Sequence, residues 1–337
     1  MGDGVKTLLL TAREVRELIS MEDVIKVVEE AFREKGLKRV QMPPKVYLFF
    51  RKYGGDLRAM PAYLETMDAA GVKVVNVHPN NPDKYGLPTV MATIVLIDPR
   101  TGFPLAIMDG TYITNLRTGA AGAIASKYLA RGDSKVLGII GAGRQGRALL
   151  KAHLVAMKNL ERVLVYDIKR EAIERFVKEF RSELGSVEIV VCNSAREVVE
   201  NSDIVCTATP STKPIVMREW VRRGTHFNCI GADAPGKQEL DPEILKMAKV
   251  VVDDIEQALH SGELNVPYRL GIVGREVVYA ELGEVVAGLK PGRVSRYEVT
   301  VFTSTGLAIQ DVAVAKLVYE RARERGLGTE VSLVLHD

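Results

Sequence analysis

The chain has 337 residues, and a single hydrophobic core rarely grows past ~250–300 residues, so the length predicts two domains. Hydrophobic residues make up 47% and charged residues 26% of the sequence, which is typical of a globular protein. The net charge of +3 is too small to indicate nucleic-acid binding as the main activity.

The cysteines and the apolar stretches restrict the class of protein further. Cys192, Cys206 and Cys229 are far apart in apolar runs, which predicts buried free thiols. No cluster has metal-ligand spacing, so no metal is expected. No uncharged apolar stretch approaches the ~18 residues of a membrane helix, and Met1–Leu10 lacks the features of a signal peptide. We therefore expect a cytoplasmic protein with no membrane partner.

The N-terminal third predicts two helices followed by strands. Thr11 with Glu14 and Ser20 with Asp23 have the spacing of capping boxes. Strands without intervening helices come next, which indicates a mostly antiparallel sheet. The strand candidates are Val46–Phe50, Gly71–Val77, Thr89–Ile97 and, after a turn at Asp98–Gly102, Phe103–Met108.

The central part alternates strands with helices. An Ala- and Gly-rich helix is predicted at Thr114–Leu129, and helical segments separate most of the strands after it. This alternation predicts a doubly wound parallel sheet with helices on both faces. The strand candidates are Lys135–Ile140, Arg162–Tyr166, Val187–Val191, Ile204–Ala208, Thr225–Ile230 and Val250–Val252.

A glycine-rich segment, GAGRQG at Gly141–Gly146, joins the first of these strands to a helix that begins near Arg144. Gly141 permits a tight turn, Gly143 lets the backbone approach a pyrophosphate, and Gly146 lets the helix pack close to the strand. The helix N-terminus then favours the anionic pyrophosphate. The segment predicts a Rossmann-type dinucleotide site.

Asp167, at the end of the next strand, supports this prediction. A carboxylate there accepts hydrogen bonds from ribose hydroxyls and repels a 2′-phosphate, so NAD is favoured over NADP. Lys169 and Arg170 nearby leave NADP possible. Thr207 and Thr209 end a later strand at the carboxyl edge, where ligands bind, although a plain strand-to-loop transition fits equally well.

The last predicted helix, Gly306–Arg323, is too apolar on all sides to lie free in water. We expect it to pack on the first domain. The predicted architecture is therefore an α/β protein in which a Rossmann domain, residues 119–304, is inserted into an α+β domain built from residues 1–118 and 305–337.

Three further charged residues lie in apolar surroundings: Lys73, Arg117 and Asp233. Each has an ordinary interpretation, namely a solvent-facing strand lysine, a surface arginine and a turn aspartate. Spacing alone does not decide between these interpretations and a catalytic role.

A resemblance adds to this evidence. The chain resembles the ornithine cyclodeaminase/μ-crystallin family, and within it the branch of archaeal-type alanine dehydrogenases. The matching stretches are QMPPKVYL (41–48), DLRAMPAYL (56–64), GVKVVNVHPNNP (71–82), GLPTVMA (86–92), LRTGAAGAIASKYLAR (116–131), IGADAPGKQELD (230–241) and FTSTGLAIQDVAVAK (302–316).

The resemblance implies a homodimer whose first domain dimerises and binds substrate. It implies that Lys73 contacts the substrate, that Arg117 reaches the substrate carboxylate and the cofactor phosphate, and that Asp233 lies beside the substrate amine. A lysine whose pKa is lowered by burial and neighbouring cations can serve as the acid/base, which is the role expected of Lys73. Lys45 and Arg58 match positions expected to hold the carboxylate. The cyclodeaminases have an acidic residue where Arg58 stands, which argues against that activity. The candidate cofactor contacts are Thr89, Arg117, Gly141, Gly143, Arg144, Gln145, Gly146, Asp167, Thr207, Thr209, Lys237 and Ser304.

Four functions remain open from the sequence. The leading one is an NAD-dependent dehydrogenase that acts on the CH–NH2 group of a small amino acid, L-alanine above all. The alternatives are a reductase of cyclic imines such as pyrroline-2-carboxylate, an ornithine or lysine cyclodeaminase with recycled NAD, and a non-catalytic binding protein. If the protein is an enzyme of this kind, we expect residues of both domains to contribute to one active site in the cleft between them.

Overall fold

The computed structural model describes residues 6–334, which form two compact units. Unit 1 is built from residues up to Arg117 and from Leu307 onward, and unit 2 is Thr118–Gly306. The first five residues of the N-terminal stretch considered above lie outside the described residues. Within residues 6–334, no helix combines the length and the apolar character that a membrane span requires.

Unit 1 is an eight-stranded sheet covered by helices. Its strands, numbered in chain order through the whole protein, are β1 (Thr7–Leu10), β2 (Val40–Gln41), β3 (Val46–Phe50), β4 (Gly55–Leu64), β5 (Ala69–Val77), β6 (Val90–Ile97), β7 (Pro104–Asp109) and β16 (Thr329–Val331). Its helices are α1 (Ala12–Leu18), α2 (Met21–Gly36), α3 (Asn81–Tyr85) and α12 (Ala308–Arg325); α4 (Thr111–Leu129) begins in unit 1 and continues into unit 2.

The order of this sheet is β16-β1-β7-β6-β5-β4-β2, and β3 pairs with β4. All pairs are antiparallel except β1 with β7, which confirms the prediction of a mostly antiparallel sheet. Both predicted capping boxes are present at the starts of α1 and α2. The hairpin predicted around Asp98–Gly102 is the β6–β7 pair.

The sequence patterns did not predict β4, the longest strand of unit 1. Asp56, Arg58 and Pro61 lower its apparent strand propensity, because Asp and Pro are depleted in strands. Every second side chain from Arg58 to Leu64 is nevertheless buried, so tertiary packing decides the conformation here.

The helix α12 forms the core of unit 1 together with α2 and the sheet. It packs against α2, β4, β5 and β6, as its apolar composition predicted. Ten of its residues are buried, including Asp311 in its first turn.

Unit 2 is an eight-stranded sheet in the order β10-β9-β8-β11-β12-β15-β13-β14, with every pair parallel. Its strands are β8 (Val136–Ile140), β9 (Arg162–Tyr166), β10 (Glu188–Val191), β11 (Ile204–Thr207), β12 (His226–Cys229), β13 (Lys249–Val252), β14 (Val278–Glu281) and β15 (Thr300–Thr303). Its helices are α5 (Arg144–Ala156), α6 (Arg170–Phe180), α7 (Ala195–Asn201), α8 (Pro242–Met247), α9 (Ile255–Ser261), α10 (Asn265–Arg269) and α11 (Leu282–Val286).

Separate apolar clusters cover the two faces of this sheet. Leu149 of α5 and Phe176 of α6 belong to one cluster, whereas Val198 of α7 and Ile244 of α8 belong to the other. This layering confirms the doubly wound fold. The three cysteines are buried free thiols, as expected.

Candidate functional site

A buried cluster of charged side chains lies in unit 1 and brings together residues that are far apart in the sequence. The Lys73 Nζ on β5 donates to Asp311 Oδ2 on α12 at 2.5 Å and to Thr114 Oγ1 at 3.4 Å. Arg117 Nε on α4 donates to Asp311 Oδ1 at 3.0 Å. Lys73 and Asp311 are 0% exposed and Arg117 is 6% exposed, so neither cation is the surface residue that ordinary interpretations allowed.

Local structure explains this placement. Alternation along β5 turns Lys73 and Val75 toward the face of the sheet on which α12 packs. Asp311 lies in the first turn of α12, where the partial positive charge of the helix N-terminus stabilises a carboxylate. The fold therefore brings one anion between two buried cations.

Burial and the nearby positive charges change the acidity of Lys73. Desolvation, followed by the charge of Arg117, lowers the pKa of the Lys73 ammonium from 10.5 to about 7. Asp311 opposes this effect, and Lys45 adds to the lowering. Lys73 can therefore gain or lose a proton near neutral pH.

The strand register brings further cations to the same face. Arg58 lies opposite Val75, and Met60 lies opposite Lys73 on the neighbouring strand β4. Arg58 is 6% exposed, forms two 3.0 Å bonds to Asp56 and lies 5.4 Å from the centre of the Tyr47 ring. Lys45 immediately precedes β3 and is half-buried.

His78, which directly follows β5, packs against its neighbours in unit 1. Its ring stacks on Phe50 at 5.8 Å, and its backbone N–H donates to Thr89 O at 2.8 Å. A side chain at Gly55 would collide with the His78 ring. These contacts favour a structural role for His78.

The glycine-rich turn of unit 2 has the geometry that the motif requires. Gly141 has φ of 102°, and a Cβ there would lie 2.6 Å from the Ala208 carbonyl oxygen. A Cβ at Gly146 would collide with the carbonyl oxygen of Gly141. At Gly143 a Cβ would meet no chain atom within 4 Å, so the chain itself does not require glycine there. Gly143 is the N-cap of α5 and supplies no side-chain acceptor to the first turn of the helix.

Asp167 follows β9 and supports this turn directly. Its Oδ2 accepts from Ala142 N at 2.8 Å, and its Oδ1 accepts from Lys169 N at 2.8 Å. The carboxylate is therefore held at the rim of the glycine turn, where each oxygen retains a further lone pair.

Other predicted cofactor residues hold the carboxyl edge of the sheet together. Thr207 is 0% exposed, and its hydroxyl donates to the buried Glu239 at 2.7 Å. Thr209 donates to Glu239 through its backbone N–H and its hydroxyl, at 2.7 and 2.8 Å. Ser304 Oγ donates to the buried Asp253 at 3.2 Å. These contacts favour an architectural role for the hydroxyls of Thr207 and Ser304.

Glu239 and Asp253, which were not among the predicted site residues, both organise loops at this edge. Glu239 also accepts from Gly231 N at 2.9 Å, and burial raises its pKa. Asp253 accepts from Thr305 N and Gly306 N at 2.6 and 2.8 Å. For Asp253 the available signal was an acidic residue directly after the apolar strand candidate Val250–Val252, whereas Glu239 lies in a polar stretch that gives no such signal.

The loop after β12 carries the remaining candidates of unit 2. Asp233 Oδ1 accepts from Lys237 Nζ at 2.6 Å, and both side chains are part-exposed, at 37% and 28%. Asn265 fixes the loop by accepting from Gly236 N at 2.8 Å and donating to Lys237 O at 2.9 Å. In the glycine turn, Arg144 is exposed and Gln145 half-buried; Thr89 in unit 1 is also half-buried.

The comparisons with known proteins agree with this class of fold. The model of the ornithine cyclodeaminase/mu-crystallin family matches residues 5–326, so the chain belongs to this family.

An alanine dehydrogenase of Archaeoglobus fulgidus is 56% identical over 97% of this chain and 98% of its own length. The solved structure of an archaeal alanine dehydrogenase dimer with bound NAD has a TM-score of 0.93 at 55% identity and covers 98% of this chain and 100% of its own. A Thermococcus litoralis Δ1-pyrroline-2-carboxylate reductase, solved with NADH and L-proline, has a TM-score of 0.93 at 46% identity, over 96% and 100% of the two chains.

Proposed function

We propose that this protein is an NAD-dependent dehydrogenase that converts L-alanine, NAD and water reversibly to pyruvate, ammonium, NADH and a proton. The observation that carries the proposal is the buried cluster in which Asp311 pairs with both Lys73 and Arg117. The alanine dehydrogenase relative and the NAD-bound archaeal structure support the choice of substrate and cofactor.

The charges of the cluster suit a carboxylate ligand. The carboxylate of Asp311 pairs with both Lys73 and Arg117, and the positive charges of Arg117 and Lys45 both act on Lys73, so the surroundings of Lys73 are rich in cations that attract an anion. Arg117 uses Nε for Asp311 and Nη1 for Gln310 at 3.1 Å, and among residues 6–334 no bond is assigned to its Nη2. The planar guanidinium can therefore present Nη2 to a substrate carboxylate.

Lys73 is the proposed acid/base. Oxidation requires the substrate ammonium to lose a proton before the Cα–H bond breaks, and a lysine with a pKa of about 7 can accept that proton. Water then attacks the iminium carbon, and loss of ammonia gives the keto acid. The role proposed for Asp233 is to stabilise the iminium charge and to orient the attacking water.

The residues of unit 2 fit a nicotinamide dinucleotide. The first turn of α5 has no side-chain cap, and Gly143 leaves its approach clear, so backbone N–H groups there can bind a pyrophosphate. Asp167 would hold the adenosine ribose. Bound NAD supplies the acceptor for the hydride that leaves the substrate Cα.

Replacing Asp167 by asparagine tests the cofactor preference. We expect the affinity for NADH to fall by about 10–100-fold, because hydrogen bonds to the charged carboxylate are lost, and the relative affinity for NADPH to rise. Fluorescence titration with each cofactor measures both values. Asp133→Asn, a change of an exposed aspartate in the same unit, is the matched control. An unchanged ratio of the two affinities would show that Asp167 does not contact the ribose.

A cyclic imine reductase is the second candidate, favoured by the 46% identity to the reductase solved with L-proline. The same carboxylate clamp and hydride step would serve it, without release of ammonia. A screen of initial rates separates the two: pyruvate with ammonium, or pyrroline-2-carboxylate, each with NADH. We expect a higher kcat/KM with pyruvate and ammonium. A higher value with the cyclic imine would replace the proposal by the second candidate.

Two further proposals concern the setting of the enzyme. We propose that it acts as a homodimer, which is supported by the dimeric archaeal alanine dehydrogenase. Its action in the cytoplasm stays a prediction of the sequence.

A further inference from the structure

Asp311 links the two cations on which the proposed chemistry depends. Its two oxygens are divided between them: Oδ2 accepts from Lys73 Nζ at 2.5 Å and Oδ1 accepts from Arg117 Nε at 3.0 Å. We infer that Asp311 is a positioning residue, which fixes the orientation of the Arg117 guanidinium and governs the charge state of Lys73. This inference rests on the proposed function.

The orientation of Arg117 depends on the first turn of α12. Asp311 accepts a hydrogen bond from Arg117 Nε, and Gln310 Oε1 accepts one from Arg117 Nη1 at 3.1 Å. Gln310 Oε1 also accepts from Leu307 N at 3.3 Å, which ties the amide to the helix start. A planar group held at two nitrogens has its third nitrogen aimed in one direction. Loss of Asp311 should therefore weaken substrate binding.

The charge state of Lys73 depends on the positive and negative side chains around it. Arg117 on α4 and Lys45 before β3 disfavour the ammonium, and Asp311 on α12 is the carboxylate that favours it. Thr114 is a neutral partner, and Arg58 on β4 is bonded to Asp56. Asp311→Asn keeps the shape and removes the charge, so it should lower the pKa of Lys73 further.

The first test is the pH profile of kcat/KM for L-alanine oxidation. In the wild-type enzyme the value should rise with pH through about 7, as Lys73 becomes able to accept a proton. This rising part of the pH profile is called the acidic limb. In Asp311→Asn the limb should move to lower pH by about 1–3 units, and KM for L-alanine should rise about 10–100-fold.

Two variants separate this role from a merely structural one. Gln310→Met removes a neutral acceptor of Arg117 from the same helix turn, so KM should rise while the limb stays in place. Asp98→Asn changes an aspartate bonded to Arg100 in the β6–β7 turn, and both KM and the limb should be unchanged. A limb that does not move in Asp311→Asn would overturn the inference.

A second readout needs no turnover. The pKa of Lys73 is lower in the folded chain than its ordinary value of 10.5, so the unfolded chain binds more protons between pH 7 and 10.5. Stability from this group therefore rises with pH across that window; as pH falls from 10.5 it decreases progressively, and the decrease is complete near pH 7. Asp311→Asn should start the rise in Tm at a lower pH, whether or not L-alanine is the substrate.

The readouts also separate failure of the inference from failure of the proposed function. If the wild-type enzyme does not oxidise L-alanine, the proposed function fails, and the Tm profile still decides on Asp311. If Asp311→Asn does not fold, the double variant Asp311→Asn/Lys73→Met decides, because it removes the unpaired buried cation. Recovery of folding would support the coupling, and no recovery would contradict it.

Discussion

Lys73→Met is expected to lower kcat for NAD-dependent oxidation of L-alanine by about 10²–10⁴-fold, the usual contribution of a general acid/base. Methionine matches the length of the lysine stem and suits a side chain that is 0% exposed, but it cannot accept a proton. The affinity for NADH should stay unchanged, since the glycine turn lies in unit 2. Stopped-flow or steady-state kinetics with a parallel fluorescence titration measures both.

Lys26→Met is the matched control, because Lys26 is an exposed lysine of unit 1 paired with Glu22 at 2.8 Å. It should keep the kinetics of the wild-type enzyme. Near-normal turnover in Lys73→Met would show that Lys73 does not transfer the proton and that the side chain contributes only to the packing of the core.

Gly146→Ala is expected to damage both stability and cofactor binding. The new Cβ would collide with the carbonyl oxygen of Gly141, which belongs to the turn itself and cannot move without opening it. Forced packing of this kind costs about 1–3 kcal/mol, so Tm should fall and NADH affinity should fall with it. Thermal unfolding and titration with NADH measure the two effects.

The variant Gly143→Ala separates the effect on cofactor binding from the effect on stability. Its Cβ would meet no chain atom within 4 Å, so Tm without cofactor should match that of the wild-type protein. NADH affinity should still fall by about 10–100-fold if the pyrophosphate approaches the backbone here. Gly132→Ala, also with open space around the new Cβ, serves as the control for both readouts. Wild-type affinity in Gly143→Ala would place the pyrophosphate elsewhere.

Local patterns predicted the elements of this fold where one physical signal was strong. Capping boxes marked the starts of α1 and α2, and apolar runs marked six strands of unit 2 to within one residue at each end. They missed β14 and β15, and β15 is a four-residue strand that begins and ends with Thr and so is not an apolar run. They missed β4 because its conformation is decided by pairing with β3 and β5.

The candidate site was harder to predict, because its parts are distant in sequence. Lys73 and Asp311 are 238 positions apart, and no spacing rule connects them. The available signal was that Asp311 is the single acidic residue in the apolar stretch Gly306–Val318. A carboxylate in such a stretch needs a buried partner, since burying an unpaired charge is costly. The resemblance supplied Lys73 and Arg117, and the structure adds the anion that holds them.

Hydride transfer from the amino acid to NAD is the central claim, and L-alanine deuterated at Cα tests it most directly. The wild-type enzyme, given this substrate and NAD, should form NADH that carries one deuterium, with pyruvate and ammonium as the other products. Mass spectrometry of the isolated cofactor measures the label. Formation of unlabelled NADH, or the absence of reduced cofactor, would contradict the account.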